Sequence, residues 1–294
     1  FTDILIVEKL SKSSHQDNLL DCQFRDMINI DVFLSTMQTK RGYSDGIQTI
    51  FHQGANTDTT DLDKKAMFQD NYDASIAIMN ICLEHNIPLI YASSASVYGD
   101  GSTFVENPDN EVALNPYAES KIRVDNYFRS HRNQFKSQVV SLRYFNVYGP
   151  REKHKGSMAS MVYQLHCQLK QGNTIKLFEG SGGYESGEQR RDFIYIDDVI
   201  KANIFFMQNP KISGVFNIGT GRSQTFNEVA TAIIKWHGHG EIKYIPFPPG
   251  LKDRYQSYTQ SDLSLLRQAG YVETFYSIEE GVNAYLDKIE TKIE

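Results

Sequence analysis

Cysteine is scarce in this chain: Cys22, Cys82 and Cys167 stand far apart, with no pair at metal-ligand spacing. That excludes a disulfide framework and leads us to expect free thiols in a reducing cytoplasm. Long apolar runs are also missing. No stretch approaches the ~18 consecutive apolar residues of a membrane span, and the first residues lack the basic-then-apolar order of a signal peptide. A soluble, cytoplasmic chain without membrane partners is expected. Positive charge is not in excess either, since 30 Lys and Arg against 36 Asp and Glu leave a net charge of -6. No Lys/Arg cluster is long enough to follow a phosphate backbone, so nucleic acid is not expected as a partner. There is no internal repeat. The one biased segment, the Gly/Ser-rich Glu179 to Gly187, reads as a mobile loop rather than a linker.

What is present is an apolar content of 40% over 294 residues, enough for a full core. Short apolar runs, Asp3–Val7, Thr49–His52, Pro88–Ala92 and Gln138–Leu142, read as buried parallel strands. Between them Lys64–His85 and Tyr117–Arg132 carry apolar residues at roughly helical spacing. Strand and helix therefore alternate, which predicts a Rossmann-like, doubly wound α/β fold with a parallel sheet. The second half is richer in Gly and Pro, with helices expected at Met158–Gln171 and Phe226–Trp236, and reads as a smaller, interleaved substrate-binding lobe. Asp192–Val199 reads as a strand entering a helix capped by an aspartate. The expected division assigns 1–148 and about 192–222 to a dinucleotide-binding domain, and 149–191 and about 223–294 to the lobe.

The chemistry concentrates at Tyr117-Ala-Glu-Ser-Lys121, preceded by Ala92-Ser-Ser94-Ala-Ser-Val-Tyr-Gly99. Tyr117 and Lys121 share a helix face, so the ammonium is expected to favour the ionised phenol and make it usable as an acid or base. Ser94 ends a strand, where α/β sheets place ligands, and can bond the same substrate hydroxyl. A Tyr-x-x-x-Lys pair by itself is weak, and its bland reading is a solvated helix face; the Ser-rich strand end reverses the odds. His237-Gly-His-Gly240 has no Cys or carboxylate at ligand spacing and reads as a surface turn, so no metal is expected. Trp236 is assigned to packing.

With these residues the chain resembles, over nearly its whole length, the extended short-chain dehydrogenase/reductase family of nucleotide-sugar epimerases and dehydratases. The resemblance matches Ser94, Tyr117 and Lys121 to the catalytic triad. Dehydratases of the family carry an Asp-Glu pair after the hydroxyl residue, where Ala95 and Ser96 stand here, so dehydration is disfavoured. Arg151-Glu-Lys-His-Lys155-Gly-Ser-Met-Ala-Ser160, Lys176–Ser181, Arg191-Asp-Phe193 and Arg254-Tyr-Gln256 resemble the branch that inverts C6″ of an ADP-activated heptose for the lipopolysaccharide inner core. That branch implies a second acid/base, Lys155, on the face opposite Tyr117, with an amine made less basic by desolvation or by Lys153 and His154. It also implies an ADP-heptose substrate, a 6″-keto intermediate, a tightly bound NADP and a homo-oligomer. Two alternatives stand beside it: another epimerase of nucleotide-sugars, acting at C4, and a non-catalytic nucleotide-sugar-binding protein.

For the cofactor the resemblance implicates Glu8, Lys9, His15, Gln53, Gly54, Ala55, Asn56, Thr57, Asn71, Lys121, Val147 and Lys155. Glu8 favours NAD, because a carboxylate bonds a ribose 2′-hydroxyl and repels a 2′-phosphate, whereas Lys9, Lys12 and His15 favour NADP. Members of the family open with a strand and a Gly-rich turn that lets the pyrophosphate approach a helix. The sequence begins at Phe1 with no such turn, so the expectation is that a strand and a helix of a longer parent are absent, with loss of cofactor binding as the alternative. Around the substrate the resemblance places Ser94, Asn146, Ser157, Gln164, Phe178, Glu179, Gly180, Ser181, Arg191 and Tyr255. Arg191 and Arg254 suit a diphosphate, and Arg190 is as readily a solvated neighbour of Glu188. Gln164 stands where the family has a His, and Gly182–Gly187 is an insertion beside the diphosphate segment.

Overall fold

The computed structural model describes residues 3–9, 17–39, 46–58, 63–250 and 255–291. The first half alternates as expected: β1 (Leu5–Glu8), β2 (Asp26–Asn29), α1 (Ile30–Gln38), β3 (Ile50–His52), α2 (Lys64–Phe68), α3 (Ala74–His85), β4 (Leu89–Ser94), α4 (Pro116–His131), β5 (Val139–Tyr144) and β6 (Asn146–Tyr148). The second half adds α5 (Met161–Gln171), β7 (Thr174–Phe178), β8 (Arg190–Arg191), β9 (Phe193–Tyr195), α6 (Ile196–Gln208) and β10 (Gly214–Ile218). It closes with β11 (Gln224–Thr225), α7 (Phe226–His237), β12 (Glu241–Ile245), α8 (Ser264–Gln268) and α9 (Ile278–Glu290).

The central sheet has the order β10-β5-β4-β3, all parallel. Its strands are apolar on both sides because both faces are covered. Leu89, Tyr91 and Val139 pack against Phe33 of α1, Ile78, Met79 and Cys82 of α3 and Val124 and Phe128 of α4. Ile90, Val140 and Leu142 point the other way, against Val199, Ala202 and Phe206 of α6 and Leu266 of α8. Alternate residues of one strand thus feed two cores. Strands β1 and β2 form a separate parallel pair. A third core joins α5, α7 and α9 to β7 and β9 through Val162, Leu165, Ile233, Val282 and Tyr285. Both α7 and α9 start with reciprocal capping boxes, Thr225 with Glu228 and Ser277 with Glu280.

Two local expectations change, and one strand pairs outside the central sheet. The crossover helix over 64–85 is interrupted by a π turn at Gln69–Asp73, a rare element that often marks functional sites. The helix after β9 is not capped by an aspartate. Its N-cap is Tyr195, with no side-chain bond; Asp197 and Asp198 lie in the first turn, where Asp198 accepts from Tyr276 N at 2.8 Å and from Lys201 at 3.0 Å. Strand β9 pairs with β6 rather than entering the central sheet, and β10 is the strand that joins it.

Beneath the C-terminal ends of β4 and β5 lies a buried charge network. Asp125 of α4 accepts from Tyr91 and Ser141 on one oxygen, at 2.9 and 2.7 Å, and from Ser93 and Arg143 on the other, at 3.1 and 2.9 Å. Arg143 also donates to the Tyr98 hydroxyl at 3.0 Å and to Glu111. Burial works against the Arg143 charge, but Asp125, Tyr98 and Glu111 outweigh it and hold the guanidinium above its usual range. Removing one partner of such a pair leaves an uncompensated buried charge. Asp125→Ala is therefore expected to lower unfolding free energy by about 3–5 kcal/mol. Arg123→Ala, which breaks the exposed ion pair with Glu119, is expected to cost below about 1 kcal/mol. Urea denaturation of the two variants checks the contrast.

Candidate active site

The Ser94, Tyr117 and Lys121 side chains meet at the C-terminal edge of the central sheet. Helix α4 starts where it does because the Asn115 side chain accepts from Ala118 N at 2.8 Å and Pro116 occupies the first turn. That start sets Tyr117 in the first turn and Lys121 one turn on. The Lys121 ammonium donates to Ala92 O at 2.9 Å and lies 5.8 Å from the Tyr117 ring centre. Burial pulls Lys121 down to about 8, against the pull of Asp125. Tyr117 is half-buried, and burial raises its pKa while the Ser94 hydrogen bond opposes the rise. The expectation that Lys121 favours the ionised phenol is thus corrected: desolvation wins, and the opposing group is Ser94. Ser96, in the 3₁₀ turn after Ser94, has a buried hydroxyl with no partner among the described residues.

The loop after β3 forms one wall. Asn71, on the π turn, accepts from Asn56 N at 2.7 Å and donates to Asn56 O at 2.9 Å and to the Ser120 hydroxyl at 3.2 Å. Asn71 is buried and positions the loop, so its side chain is spent on protein groups. Gln53 accepts from Tyr144 at 3.0 Å; Gly54 is open on its Cβ side, and Ala55 and Thr57 border the same edge. Glu8 ends β1, and Lys9 pairs with Asp70 at 2.9 Å in an exposed ion pair. Val147 is half-buried on β6. His15, Lys12 and Arg254 lie outside the described residues. These groups fit the ribose and nicotinamide end of a dinucleotide: a carboxylate at a strand end, a backbone-held loop and a desolvated lysine beside a tyrosine.

Lys155 sits on a kinked turn over Lys153–Met158, where Gly156 takes φ 55°. Its base is held by Glu152, buried, which accepts from Ser160 N at 2.7 Å, the Ser160 hydroxyl at 2.6 Å and Tyr285 of α9 at 2.8 Å, while Lys155 N donates to Glu152 O at 2.9 Å. Lys155 and Ser157 are exposed, and the desolvation expected around Lys155 is not present at its position. Gln164 donates to Ser157 O at 3.0 Å and Ala159 O at 2.7 Å, so its amide nitrogen braces the turn rather than reaching outward. Asn146 is exposed at the start of β6. The 17–22 segment docks on the same turn: Arg151, at φ 71°, donates to Asn18 O and to Asp21 at 2.7 Å.

Arg191 is buried, with one hydrogen bond to Arg190 O at 2.9 Å and no carboxylate partner among the described residues. Burial lowers its pKa, with Tyr255 and Tyr184 opposing the fall. Around it stand Tyr255, with its ring centre 5.2 Å from the guanidinium, and Phe226 at 5.8 Å. Phe178 at the end of β7 stacks on Phe247 at 4.6 Å, and both abut Tyr255. Asp192 fixes the segment by accepting from Thr220, Gly221 and Ser261 at 2.6–3.0 Å. Arg190 is not a solvated neighbour of Glu188, since it donates to Ser223 O at 2.6 Å. Glu179 is exposed, while Gly180 and the buried Ser181 open a tight turn, with Gln189 donating to Glu179 O at 2.8 Å and to the Ser181 hydroxyl at 3.1 Å.

His237 and His239 lie at the end of α7, where Gly238 takes a left-handed cap, and His237 bonds His166 at 3.0 Å. No group of three or more metal-ligating side chains occurs among the described residues. Trp236 packs on the α5/α7/α9 core and donates to Asp287 at 2.8 Å. Sequence reasoning missed Glu152, Phe247 and His52. The first two carried a signal, an acid just before the Lys155 turn and an aromatic in a Pro-rich strand exit; His52 did not.

His52, 2.8 Å from Ser75, is lowered to about 3 by burial and then by the Lys121 charge. A histidine kept neutral in the fold but free to protonate when unfolded supplies stability that is complete above pH ~6.5 and is lost as pH falls toward its folded pKa. The melting temperature is expected to fall between pH 7 and pH 5, and His52→Asn, which keeps a partner for Ser75, to shrink that fall. Calorimetric scans at the two pH values check it.

The model of the NAD dependent epimerase/dehydratase family matches residues 2–219. The chain is 47% identical over 288 residues, 98% of its length and 90% of the relative's, to ADP-L-glycero-D-manno-heptose-6-epimerase of Alkalilimnicola ehrlichii. Among solved structures, the ADP-L-glycero-D-manno-heptose-6-epimerase of Helicobacter pylori superposes with a TM-score of 0.81 at 32% identity, covering 98% of this chain and 87% of that one. UDP-glucose 4-epimerase of Thermotoga maritima shares the fold, with a TM-score of 0.79 at 22% identity, over 99% of this chain and 92% of its own. Among the described residues no helix is long and apolar enough to cross a membrane. A parallel sheet covered on both faces, with Ser94, Tyr117 and Lys121 at its C-terminal edge, together with these matches, makes the chain a member of the NAD dependent epimerase/dehydratase family, whose chemistry uses a nicotinamide cofactor.

Proposed function

We propose that the chain is an epimerase that inverts C6″ of ADP-D-glycero-D-manno-heptose to give ADP-L-glycero-D-manno-heptose. The observation that carries the reading is Tyr117 hydrogen-bonded to Ser94 above a desolvated Lys121, with the Lys155 turn held to the fold by Glu152. The Alkalilimnicola ehrlichii relative's name supports the choice of sugar.

C6″ carries no acidic proton, so inversion needs oxidation from one face and reduction from the other. The nicotinamide, when bound, supplies the acceptor and donor of the two electrons and the hydrogen, with no net redox change. Tyr117, in its phenolate form, takes the 6″-hydroxyl proton on one face, held in line by Ser94, and gives that proton up to solvent at the end of the cycle. The keto sugar then turns, and Lys155 returns a proton to the oxygen from the other face; its ammonium, exposed in the free protein, becomes enclosed by the substrate. Arg191 and the Phe178, Phe247 and Tyr255 rings hold the nucleotide diphosphate while the sugar turns. For the cofactor we propose NADP: Lys9 gives up only an exposed ion pair with Asp70 when it meets a 2′-phosphate, a small cost. A homo-oligomer in the cytoplasm completes the reading.

The test follows C6″ inversion by NMR with the purified protein. Tyr117→Phe and Lys155→Ala are each expected to slow it about 10²–10⁴-fold, the usual contribution of a general acid or base. Mass analysis of the nucleotide released on denaturation is expected to find NADP. Unchanged inversion rates in both variants, or a product inverted at C4, would overturn the reading.

A further inference from the structure

The turn over residues 181–187 has a built form. Tyr184 N donates to Ser181 O at 3.1 Å, Gly187 N to Phe178 O at 3.1 Å and Glu188 N to Glu185 O at 3.0 Å. Gly182 and Gly187 take left-handed conformations, φ 59° and 72°, and a Cβ at either would overlap Ser257 or Asn227. Asn227 seals the far end by donating to Ser186 O at 3.0 Å and to Glu188 at 2.6 Å. Because Gly182 closes against Ser257, two residues beyond Tyr255, the turn reaches the rim of the Arg191 pocket. Tyr184 is half-buried there and interacts electrostatically with Arg191. Its hydroxyl has no hydrogen-bond partner among the described residues.

We propose that Tyr184 is a specificity-determining residue of the nucleotide-sugar site, its hydroxyl donating to a non-bridging oxygen of the diphosphate that Arg191 holds. The proposal rests on the function given above, which puts a diphosphate there. Among the described residues Arg191 is buried without a carboxylate and the Tyr184 hydroxyl has no protein acceptor, so one anionic group between them can pair with both. Glycines at the turn's tight points fix its backbone before the ligand arrives, which lowers the ordering entropy that opposes the bond.

The test is calorimetric titration of ADP and of AMP into the protein saturated with its nicotinamide dinucleotide, so that the cofactor's own adenosine site is filled. Tyr184→Phe keeps the ring and removes only the donor. It is expected to weaken ADP binding about tenfold, as the loss of a hydrogen bond to a charged group does, and to leave AMP binding and the melting temperature unchanged. ADP affinity equal to that of the unaltered protein overturns the proposal and leaves the proposed function standing. Equal losses for ADP and AMP overturn it as well, because the turn then serves the nucleoside or the fold. If the unaltered protein binds neither nucleotide, the nucleotide-sugar reading falls, and Tyr184's role with it.

Discussion

The Asp125–Arg143 pair is the constraint on which the site depends. Both side chains are fully buried, and such a pair is tolerable only when every lone pair and proton finds a partner. Here the partners come from several elements at once: Tyr91 and Ser93 from β4, Ser141 from β5, Tyr98 from the turn after β4, and Glu111 ahead of α4. Tyr98 passes the connection on to Asn217 of β10 at 2.7 Å. The strand ends and the helix bearing Tyr117 and Lys121 are thus locked in one register. A shift in α4 that would misplace Tyr117 would also strand a buried charge.

That rigidity is what makes the chemistry affordable. Lys121 sits one turn before Asp125 on α4, and its charge is held in an apolar setting by one carbonyl and by Asp125. His52, nearby, stays neutral and adds no competing charge. Glu152 does for the Lys155 turn what Asp125 does for α4: a buried carboxylate, satisfied by donors from α9 and the start of α5, anchors an otherwise exposed segment. Tyr117 is thereby held rigid and half-buried while Lys155 stays open and approachable, an asymmetry that suits the two acid/base roles proposed for them.

Much of the scaffold was legible because its signals are local. Apolar runs such as Leu89–Ala92 and Val139–Leu142 can be satisfied only by a sheet covered on both faces, and the boundaries of α4 and α7 follow from Asn115-Pro116 and Thr225-x-x-Glu228. The Ser94, Tyr117 and Lys121 cluster was legible because helix spacing and a strand end fix it. The rest depends on contacts distant in sequence. Nothing in Asp125 or Arg143 by itself reveals that they pair, and nothing in Asp192 reveals that Thr220, Gly221 and Ser261 surround it. The sign of the Tyr117 shift was likewise out of reach, since spacing gives the proximity of Lys121 but not the burial that outweighs it.

The central claim is that inversion proceeds by oxidation and reduction at one carbon rather than by loss of a proton from it. Substrate carrying deuterium at C6″, turned over in ordinary water, tests this most directly. The account predicts product in which the deuterium is retained at C6″ with the configuration inverted. Replacement of that deuterium by solvent hydrogen would contradict it.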